Sequence, residues 1–514
     1  MRGQEAIEIS IFDRLFSAVA EEMGIVLRKS AFSANIKERR DFSCAICDGR
    51  GRLVAQAAHI PVHLGAMPAT MAALLKEVDF VPEDLIITND PYAGGTHLPD
   101  ITLIKPVFAD ADRPLFFLLV RAHHADVGGK MPGSMPLASH ISEEGVLIRP
   151  QHLKRQGRIN EEFLAWFLSQ VRNPQERRGD LTAQQAALVR GEIRLKEMIR
   201  AYGIKTLIER VEGLFLHAQQ MMEETISEIP DGHYFFEDCL DDDGLGKEPV
   251  KIVARVSIDG SRAIVDLSDS DKAASTGINT VASVAAAAVY YVFLALSPEE
   301  MPINAGALEP IRVLTKPGTV VDARYPSPVA AGNVETSQRL VDVILGALAQ
   351  AIPERIPAAS CGSMNNVAMG FGELTYYETI GGGMGGRFGA PGLSGVHTHM
   401  TNTLNTPIEA LEQIYPLLVE RYRLRERSGG RGRFRGGDGI IRAYRFLQPT
   451  QVTILSERRR FCPYGLQGGA PGRRGQNVFI RGGKKRILPG KTHLQALPGD
   501  ILEIRTPGGG GWGA

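Results

Sequence analysis

Residues 88–100, TNDPYAGGTHLPD, gather several polar side chains between two apolar segments and are the most informative part of this chain. His97 and Asp100 stand three positions apart in this stretch, and Pro99 between them stiffens the loop. Because a rigid loop loses little conformational entropy, it can present both side chains to one ion. Imidazole and carboxylate ligands suit a hard or borderline divalent metal, so the stretch predicts a metal site. In the alternative interpretation, Asp90 and Asp100 cap turns and His97 hydrogen-bonds locally.

A second polar cluster, RAHHAD at positions 121–126, follows the apolar run 115–123. If that run is a strand, His123 and His124 point to opposite faces, so only one of them is an easy ligand for a given ion. The other would orient that ligand, transfer a proton or be a hydrogen-bonded core residue. Both clusters are predicted to flank adjacent strand ends, and this favours a metal site over a purely structural role.

Three further patterns give weaker predictions. Asp41 stands just before a predicted strand and could be another carboxylate ligand, although a charge run such as 35–41 is usually a solvated surface. Cys44 and Cys47 lack a second cysteine pair that would complete a zinc site, which favours a structural role. His397 and His399 share one face if that segment is extended, so a second site there is an alternative to a structural role.

Two glycine-rich segments bear on other functions. The stretch 381–386, GGGMGG, lacks the Gly-Lys-Ser/Thr of a Walker sequence and is not placed between a clear strand and helix. Nucleotide binding by this chain is therefore not supported. The segment 421–442 contains RGRFRGGDG, which allows an RNA-binding interpretation but is short and single. A basic loop that contacts a partner protein or an anionic substrate is favoured.

The composition describes an ordinary globular protein rather than a nucleic-acid or membrane protein. The 514 residues include 58 Lys and Arg and 58 Asp and Glu, so no net charge attracts nucleic acid or an acidic membrane. The longest apolar run, 281–296, is shorter than the roughly 20 residues of a membrane-spanning helix. Five cysteines argue against a disulfide scaffold, and the N-terminus does not resemble a signal peptide. These features predict a cytoplasmic protein.

Apolar periodicity predicts a mixed α/β (α+β) fold with several subdomains, in which flanking helices surround a β-rich core and the C-terminal part is Gly-rich and β. The predicted helices are 6–29, 59–75, 181–229 with an interruption at Gly203, 282–296 and 409–422. The predicted strands are 41–47, 52–55, 84–88, 101–108, 115–123, 231–238 and 250–268. The predicted domains are a metal-site domain at 1–230, a central α/β domain at 231–403 and a C-terminal part at 404–514.

Several long motifs resemble those of the hydantoinase B/oxoprolinase family across essentially the whole chain. They include NDPYAGGTHLPDITLIKPVF at 89–108, RAHHADVGGKMPGSM at 121–135, RNPQERRGDLTAQQAALVRGEIRL at 172–195, SERRRFCPYGLQGG at 456–469 and TPGGGGWG at 506–513. The resemblance implies the B component of an ATP-dependent enzyme that opens cyclic amides such as hydantoins, 5-oxoproline or lactams. It further implies a separate hydantoinase A-type component, an actin-like ATPase that phosphorylates the substrate, in an A2B2 heterotetramer.

The resemblance also implies roles for individual residues. His97 and Asp100 match the metal pair of the family, His123 is favoured as the next ligand and Asp41 as a further acidic ligand, with manganese or zinc as the metal. His124 or Asp126 would transfer a proton. Two alternatives are a large subunit of an acetone-type or acetophenone-type carboxylase, and a non-enzymatic RNA-binding or scaffold protein.

Overall fold

A computed structural model describes residues 3–57, 59–109, 112–246 and 248–514, which form four β-sheets with helices packed against them. The helices are α1 (Gly3–Ser30), α2 (Ala34–Lys37), α3 (Ala66–Glu77), α4 (Glu161–Gln170), α5 (Pro174–Tyr202), α6 (Ile204–Ser227), α7 (Ala282–Leu296), α8 (Ala305–Leu308), α9 (Ser337–Leu348) and α10 (Ile408–Ile414). The strands are β1 (Phe42–Asp48), β2 (Leu53–Gln56), β3 (Leu85–Thr88), β4 (Asp100–Val107), β5 (Phe116–His123), β6 (Gln151–Arg155), β7 (Arg158–Ile159), β8 (Gly232–Leu240), β9 (Val250–Asp259), β10 (Arg262–Asp266), β11 (Ile311–Leu314), β12 (Asn366–Phe371), β13 (Leu374–Glu378), β14 (Leu417–Arg425), β15 (Gly439–Phe446), β16 (Thr450–Leu455), β17 (Gln476–Arg481), β18 (Lys484–Leu488), β19 (Lys491–Ala496) and β20 (Ile501–Arg505).

The first sheet has the order β2-β1-β5-β4-β3-β6-β7, and its pairs are antiparallel. Every residue of β1, β4 and β5 is buried, which requires that both faces of the sheet be covered. One face packs in the same hydrophobic core as α1 and α5, and this core includes Ile46, Val120 and Phe16. The other face packs with α3 in a core that includes Leu119 and Met71. Alternate residues of each strand therefore point into different cores.

Three smaller sheets follow. The second has the order β11-β10-β9-β8, and α9 packs against β8 and β9. The third and fourth have the orders β13-β12-β16-β19 and β14-β15-β20-β17-β18. The third sheet pairs β12 with β16, so it joins strands from both sides of the predicted 403/404 boundary. The three-domain division stays a prediction.

The mixed α/β fold class is confirmed, and most predicted elements lie within a few residues of the observed ones. The helix predicted at 409–422 is wrong beyond Ile414, because Pro416 lacks the amide needed to continue it and β14 follows. The strand predicted at 250–268 is divided by a turn at Gly260, whose φ is 56°. Within the described ranges, no helix combines the length and apolar character needed to cross a membrane.

Candidate functional site

The predicted metal ligands lie side by side on the α3 face of the first sheet. Register pairs Asp100, the first residue of β4, with His123, the last residue of β5. The His123 amide donates to the Asp41 carbonyl oxygen at 3.0 Å, which brings the residue before β1 next to them. His97 is close to both, because its Nδ1 lies 2.9 Å from Asp100 Oδ2 and its ring centroid lies 5.0 Å from that of His123. We call Asp41, His97, Asp100 and His123 the His–Asp cluster.

Residues of the 88–100 stretch itself hold the loop that carries His97. The Asn89 side chain donates to the carbonyl oxygens of Leu98 and Val146, at 2.8 and 2.9 Å. Asp90 Oδ1 accepts a hydrogen bond from the Tyr92 amide at 2.9 Å and starts a turn. Gly94 ends that turn with a φ of 85°, and a Cβ there would lie 2.4 Å from the α3 backbone. A side chain at position 94 is therefore excluded by both conformation and space.

His63 is a fifth member of the neighbourhood that the sequence interpretation missed. It lies in the 3-10 turn Pro61–His63, and its Nε2 is 3.2 Å from Asp100 Oδ2. Its Nδ1 is hydrogen-bonded to Ser43 Oγ at 2.8 Å, which fixes the ring. His63 is 34 positions before His97 in a mostly apolar segment, so no short spacing connects it with the other candidates.

The charges in the cluster are set by burial and by mutual contacts. Burial lowers the pKa of His63 and holds the pKa of His123 well below its usual range, so these imidazoles are neutral at pH 7. Burial alone would raise the pKa of Asp100, but the adjacent His97 and His63 hold it well below its usual range. Burial raises the pKa of Asp41 to about 6, against the lowering effect of Arg39.

The donor atoms in this cluster suit a divalent cation. His123 Nε2 and Asp100 Oδ1 are buried and have no hydrogen-bond partner among the described residues, whereas His97 Nδ1 lies 2.9 Å from Asp100 Oδ2. An unpartnered buried donor or acceptor is costly, and a cation would satisfy the first two atoms. Across the described ranges, however, no three or more His, Cys, Asp or Glu side chains are already arranged to hold a metal ion. Here Asp100 Oδ2 lies between the His97 and His63 rings, so metal binding requires that this carboxylate turn.

A layer of aromatic and amide side chains surrounds the cluster. The Tyr377 ring stacks on His123 with centroids 4.8 Å apart and planes 5° from parallel. Asn35 Nδ2 donates to His123 Nδ1 at 3.1 Å. The Arg39 guanidinium lies over the Tyr377 ring, with its central carbon 4.8 Å from the ring centroid. These contacts fix the orientation of His123, a function that partners of metal-binding histidines commonly serve.

A π-helix supplies two residues that the sequence interpretation also missed. It spans Gly332–Thr336 and brings Asn333 Nδ2 to 3.5 Å from His97 Nε2. Glu335 Oε1 accepts a hydrogen bond from Asn366 Nδ2 at 2.7 Å, and Asn366 Oδ1 accepts one from the Tyr377 hydroxyl at 2.6 Å. Burial raises the pKa of Glu335 to about 8. A π-helix changes which side chains face inward, and apolar spacing does not reveal it.

His124 and Asp126 lie outside the cluster. His124 is on the α5 face of the sheet, where its Nε2 is hydrogen-bonded to Gln184 Oε1 at 3.0 Å. Asp126 accepts hydrogen bonds from the Gly128 and Gly133 amides, and also from the Arg172 amide and guanidinium. These contacts hold a loop together, and the proton-transfer role stays a prediction.

His397 and His399 are likewise apart from the cluster. His399 Nε2 lies 3.9 Å from Asp342 Oδ1, and the Tyr291 hydroxyl lies 3.5 Å from His399 Nδ1. Burial lowers the pKa of His397 to about 4 and also lowers that of His399. Both histidines are therefore neutral at pH 7, with His399 buried and His397 half-buried, and the second site stays a prediction.

Comparisons with known proteins agree with the motifs. The family model described as hydantoinase B/oxoprolinase matches residues 5–514. The 5-oxoprolinase 1 of Arabidopsis thaliana is 39% identical over 99% of this chain, which spans 42% of that protein's length. The B component of a putative D-/L-hydantoinase from Pseudomonas sp. (strain NS671) is 31% identical over 96% of this chain and 88% of its own. The crystal structure of an ATP-dependent caprolactamase from Pseudomonas jessenii matches with a TM-score of 0.92 and 27% identity, over 99% of this chain and 91% of the other.

Proposed function

The chain belongs to the hydantoinase B/oxoprolinase family, and on that premise we propose that it is the metal-binding B component of an ATP-dependent enzyme that opens cyclic amides. The observation that carries the proposal is the His–Asp cluster, with its buried donor atoms that lack hydrogen-bond partners among the described residues. The three relatives are named as a 5-oxoprolinase, a hydantoinase and a caprolactamase. The compounds in these names, 5-oxoproline, hydantoin and caprolactam, are all cyclic amides. The substrate class we propose is therefore a hydantoin, 5-oxoproline or a lactam.

In this proposal His97, Asp100 and His123 hold a divalent manganese or zinc ion, with Asp41 as a further carboxylate ligand. Such an ion supplies a Lewis acid that lowers the pKa of water to near neutrality. Asp100 contributes negative charge, because its carboxylate stays ionised at neutral pH. His63 orients Asp100 through the contact at 3.2 Å, and Tyr377 orients His123 by stacking.

The need for ATP follows from the chemistry of amides. An unactivated amide is a poor electrophile, and phosphorylation of its oxygen creates a good leaving group. We assign that step to a separate hydantoinase A-type ATPase, because one relative is named as a single component of a hydantoinase and another is named ATP-dependent. We propose an A2B2 assembly in the cytoplasm. His124 and Asp126 are not assigned a step, because their hydrogen bonds join them to Gln184 and to a loop.

Metal analysis of single variants tests the ligand assignment. The purified protein is loaded with manganese or zinc, desalted and analysed by mass spectrometry beside His97→Ala, Asp100→Asn and His123→Ala. We expect the unmodified protein to retain the metal and the three variants to lose most of it. His124→Gln is the matched control, because it changes the neighbouring histidine on the opposite face. Full metal occupancy in His97→Ala and Asp100→Asn would contradict the assignment.

The reaction is tested with the A-type ATPase present. ATP hydrolysis is compared with hydantoin, 5-oxoproline and a lactam as substrates, and the opened product is measured in parallel. We expect product only when both proteins, ATP and one of these substrates are present. ATP turnover that requires bicarbonate and yields a carboxylated product would contradict the hydrolase proposal.

A further inference from the structure

A cleft of about 710 Å³ lies between the third and fourth sheets, far along the chain from residues 88–126. Its volume is within the range of about 300–1,000 Å³ that is typical of small-molecule sites. Its walls come from residues 241–242 after β8, the 459–462 loop, the 471–476 segment, the end of β14 and the β18–β19 turn. The motif SERRRFCPYGLQGG contributes Arg459, Arg460 and Cys462 to this lining, and the proposed amide-opening reaction uses none of them.

The lining is dominated by positive charge. It contains five arginines and two aspartates: Arg425, Arg459, Arg460, Arg473, Arg474, Asp241 and Asp242. The Asp241 carboxylate already accepts hydrogen bonds from the Arg459 and Phe461 amides, at 2.6 and 3.1 Å. Asp242 Oδ1 accepts one from the Gly244 amide at 2.8 Å and lies 3.4 Å from Lys491 Nζ. Both carboxylates are therefore committed to other groups.

Two of the arginines are held in place by neutral acceptors. Arg459 donates to the side-chain oxygens of Asn365 and Asn477, at 2.7 and 2.9 Å. Arg425 donates to the carbonyl oxygens of Arg474 and Thr506, at 2.7 and 2.9 Å. Burial lowers the pKa of each of these two arginines to about 10. The like charges of Arg505 and Arg473 add to the effect at Arg425, whereas the carboxylates of Glu335 and Asp241 act against burial at Arg459. Within the described ranges neither has an ion-pair partner closer than 4 Å.

The cleft also has a fixed wall and a free cation. A Cβ at Gly475 would lie 2.7 Å from Arg459 Nη1, so only glycine lets this guanidinium lie against the backbone. The Arg473 side chain is exposed, and in the described part of the chain it makes no hydrogen bond or ion pair. Charges of one sign gathered in a concave site raise the local concentration of ions of the opposite sign.

We propose that this cleft is a binding site for the phosphate groups of a small anionic molecule, separate from the His–Asp cluster. Guanidinium groups match phosphate oxygens with paired, charge-assisted hydrogen bonds, which favours phosphate over a weaker anion. Arg473 is the principal contact, because its side chain is exposed and uncommitted. Arg425 and Arg459 supply a preorganised positive wall that needs little rearrangement when the anion binds.

Calorimetric titration of the full-length protein tests the site with tripolyphosphate, pyrophosphate, orthophosphate and ATP as separate probes. We expect tripolyphosphate to bind at one site per chain, and Arg473→Glu to weaken that binding at least about tenfold. Orthophosphate and ATP then distinguish a site for free phosphate from a site for a phosphorylated organic molecule. Arg312→Glu is the matched control. Arg312 is an exposed residue of β11 outside the cleft, so this substitution makes the same charge change away from the proposed site.

The rate of alkylation of Cys462 provides a second measurement of binding that is independent of calorimetry. It lines the cleft and is exposed. We expect tripolyphosphate to slow alkylation of Cys462 in the unmodified protein and in Arg312→Glu, but not in Arg473→Glu. Sodium sulfate at the same ionic strength controls for screening.

Three results would overturn the proposal. One is equal affinity for tripolyphosphate in Arg473→Glu and the unmodified protein. Another is equal protection of Cys462 by sodium sulfate and tripolyphosphate, which would indicate screening alone. The third is binding of poly-glutamate without binding of any phosphate probe, which would instead indicate an acidic polypeptide. None of these outcomes bears on metal content or amide opening, so the two proposals fail separately.

Discussion

The ion pair between Glu378 and Arg442 offers a quantitative test of how the third and fourth sheets are joined. Arg442 donates through Nε and Nη2 to the two carboxylate oxygens of Glu378, both at 2.9 Å, and both side chains are 0% exposed. Glu378 ends β13 and Arg442 lies in β15, so the pair connects two sheets. Removal of one partner from such a buried pair leaves an uncompensated charge and costs about 3–5 kcal/mol.

We therefore expect Glu378→Gln and Arg442→Met each to lower the free energy of unfolding by about that amount. The double variant should lose less than the sum of the two, with an interaction free energy of about 0.5–3 kcal/mol. Urea unfolding followed by circular dichroism measures the four proteins, with midpoints compared at equal slope. Arg445→Met is the control, because it removes the arginine of an exposed pair with Glu420 and should change the midpoint far less. Additive losses in the double variant would refute this account of the pair.

Three shorter predictions concern the candidate site and its surroundings. Gly94→Ala should destabilise the protein by more than about 1 kcal/mol, because φ is 85° and the new Cβ meets the α3 backbone; an unchanged urea midpoint would contradict this. His63→Ala should weaken metal binding about 10–100-fold with little change in fold, as measured by competition with a chelator, whereas unchanged affinity would show that His63 does not orient Asp100. The buried Glu144 carboxylate accepts hydrogen bonds from the Val329 and Ala330 amides, just before the π-helix that carries Asn333. Burial raises the pKa of Glu144 from its ordinary value of 4.5 to about 8, so the folded protein binds more protons than the unfolded chain and stability falls as the pH rises from 4.5 to 8. Glu144→Gln should flatten that dependence in urea unfolding, and an unaltered slope would contradict the assignment.

The buried network behind His123 has a mechanistic consequence. Glu335, Asn366 and Tyr377 form a hydrogen-bonded series that ends on the ring stacked against His123. Asn365, the residue before Asn366, accepts a hydrogen bond from Arg459 in the arginine-rich cleft. The two proposed sites are thus connected through the start of β12. A change in the position of Arg459 would first alter its hydrogen bond to Asn365.

Local sequence was sufficient to predict the first sheet and the part of the site that lies along it. Alternation and long apolar runs predicted β1, β4 and β5 because strands buried on both faces need apolar side chains at nearly every position. The period of two also predicted that His123 and His124 face opposite sides, and their contacts agree. The helix predicted at 409–422 is wrong beyond Ile414, because Pro416 cannot supply the amide that a longer helix needs.

Tertiary structure alone decided which residues complete the site. His63 reaches Asp100 because a 3-10 turn packs over the sheet, and Tyr377 reaches His123 from more than 250 positions away. Asn333 and Glu335 face inward because of a π-helix, which no spacing rule indicates. The five arginines of the cleft come from three separate segments. Local periodicity records which face of one element is buried, whereas contacts between distant elements depend on how those faces pack. The sequence therefore determined the candidate ligands that lie on strands, and the fold determined the residues that surround them.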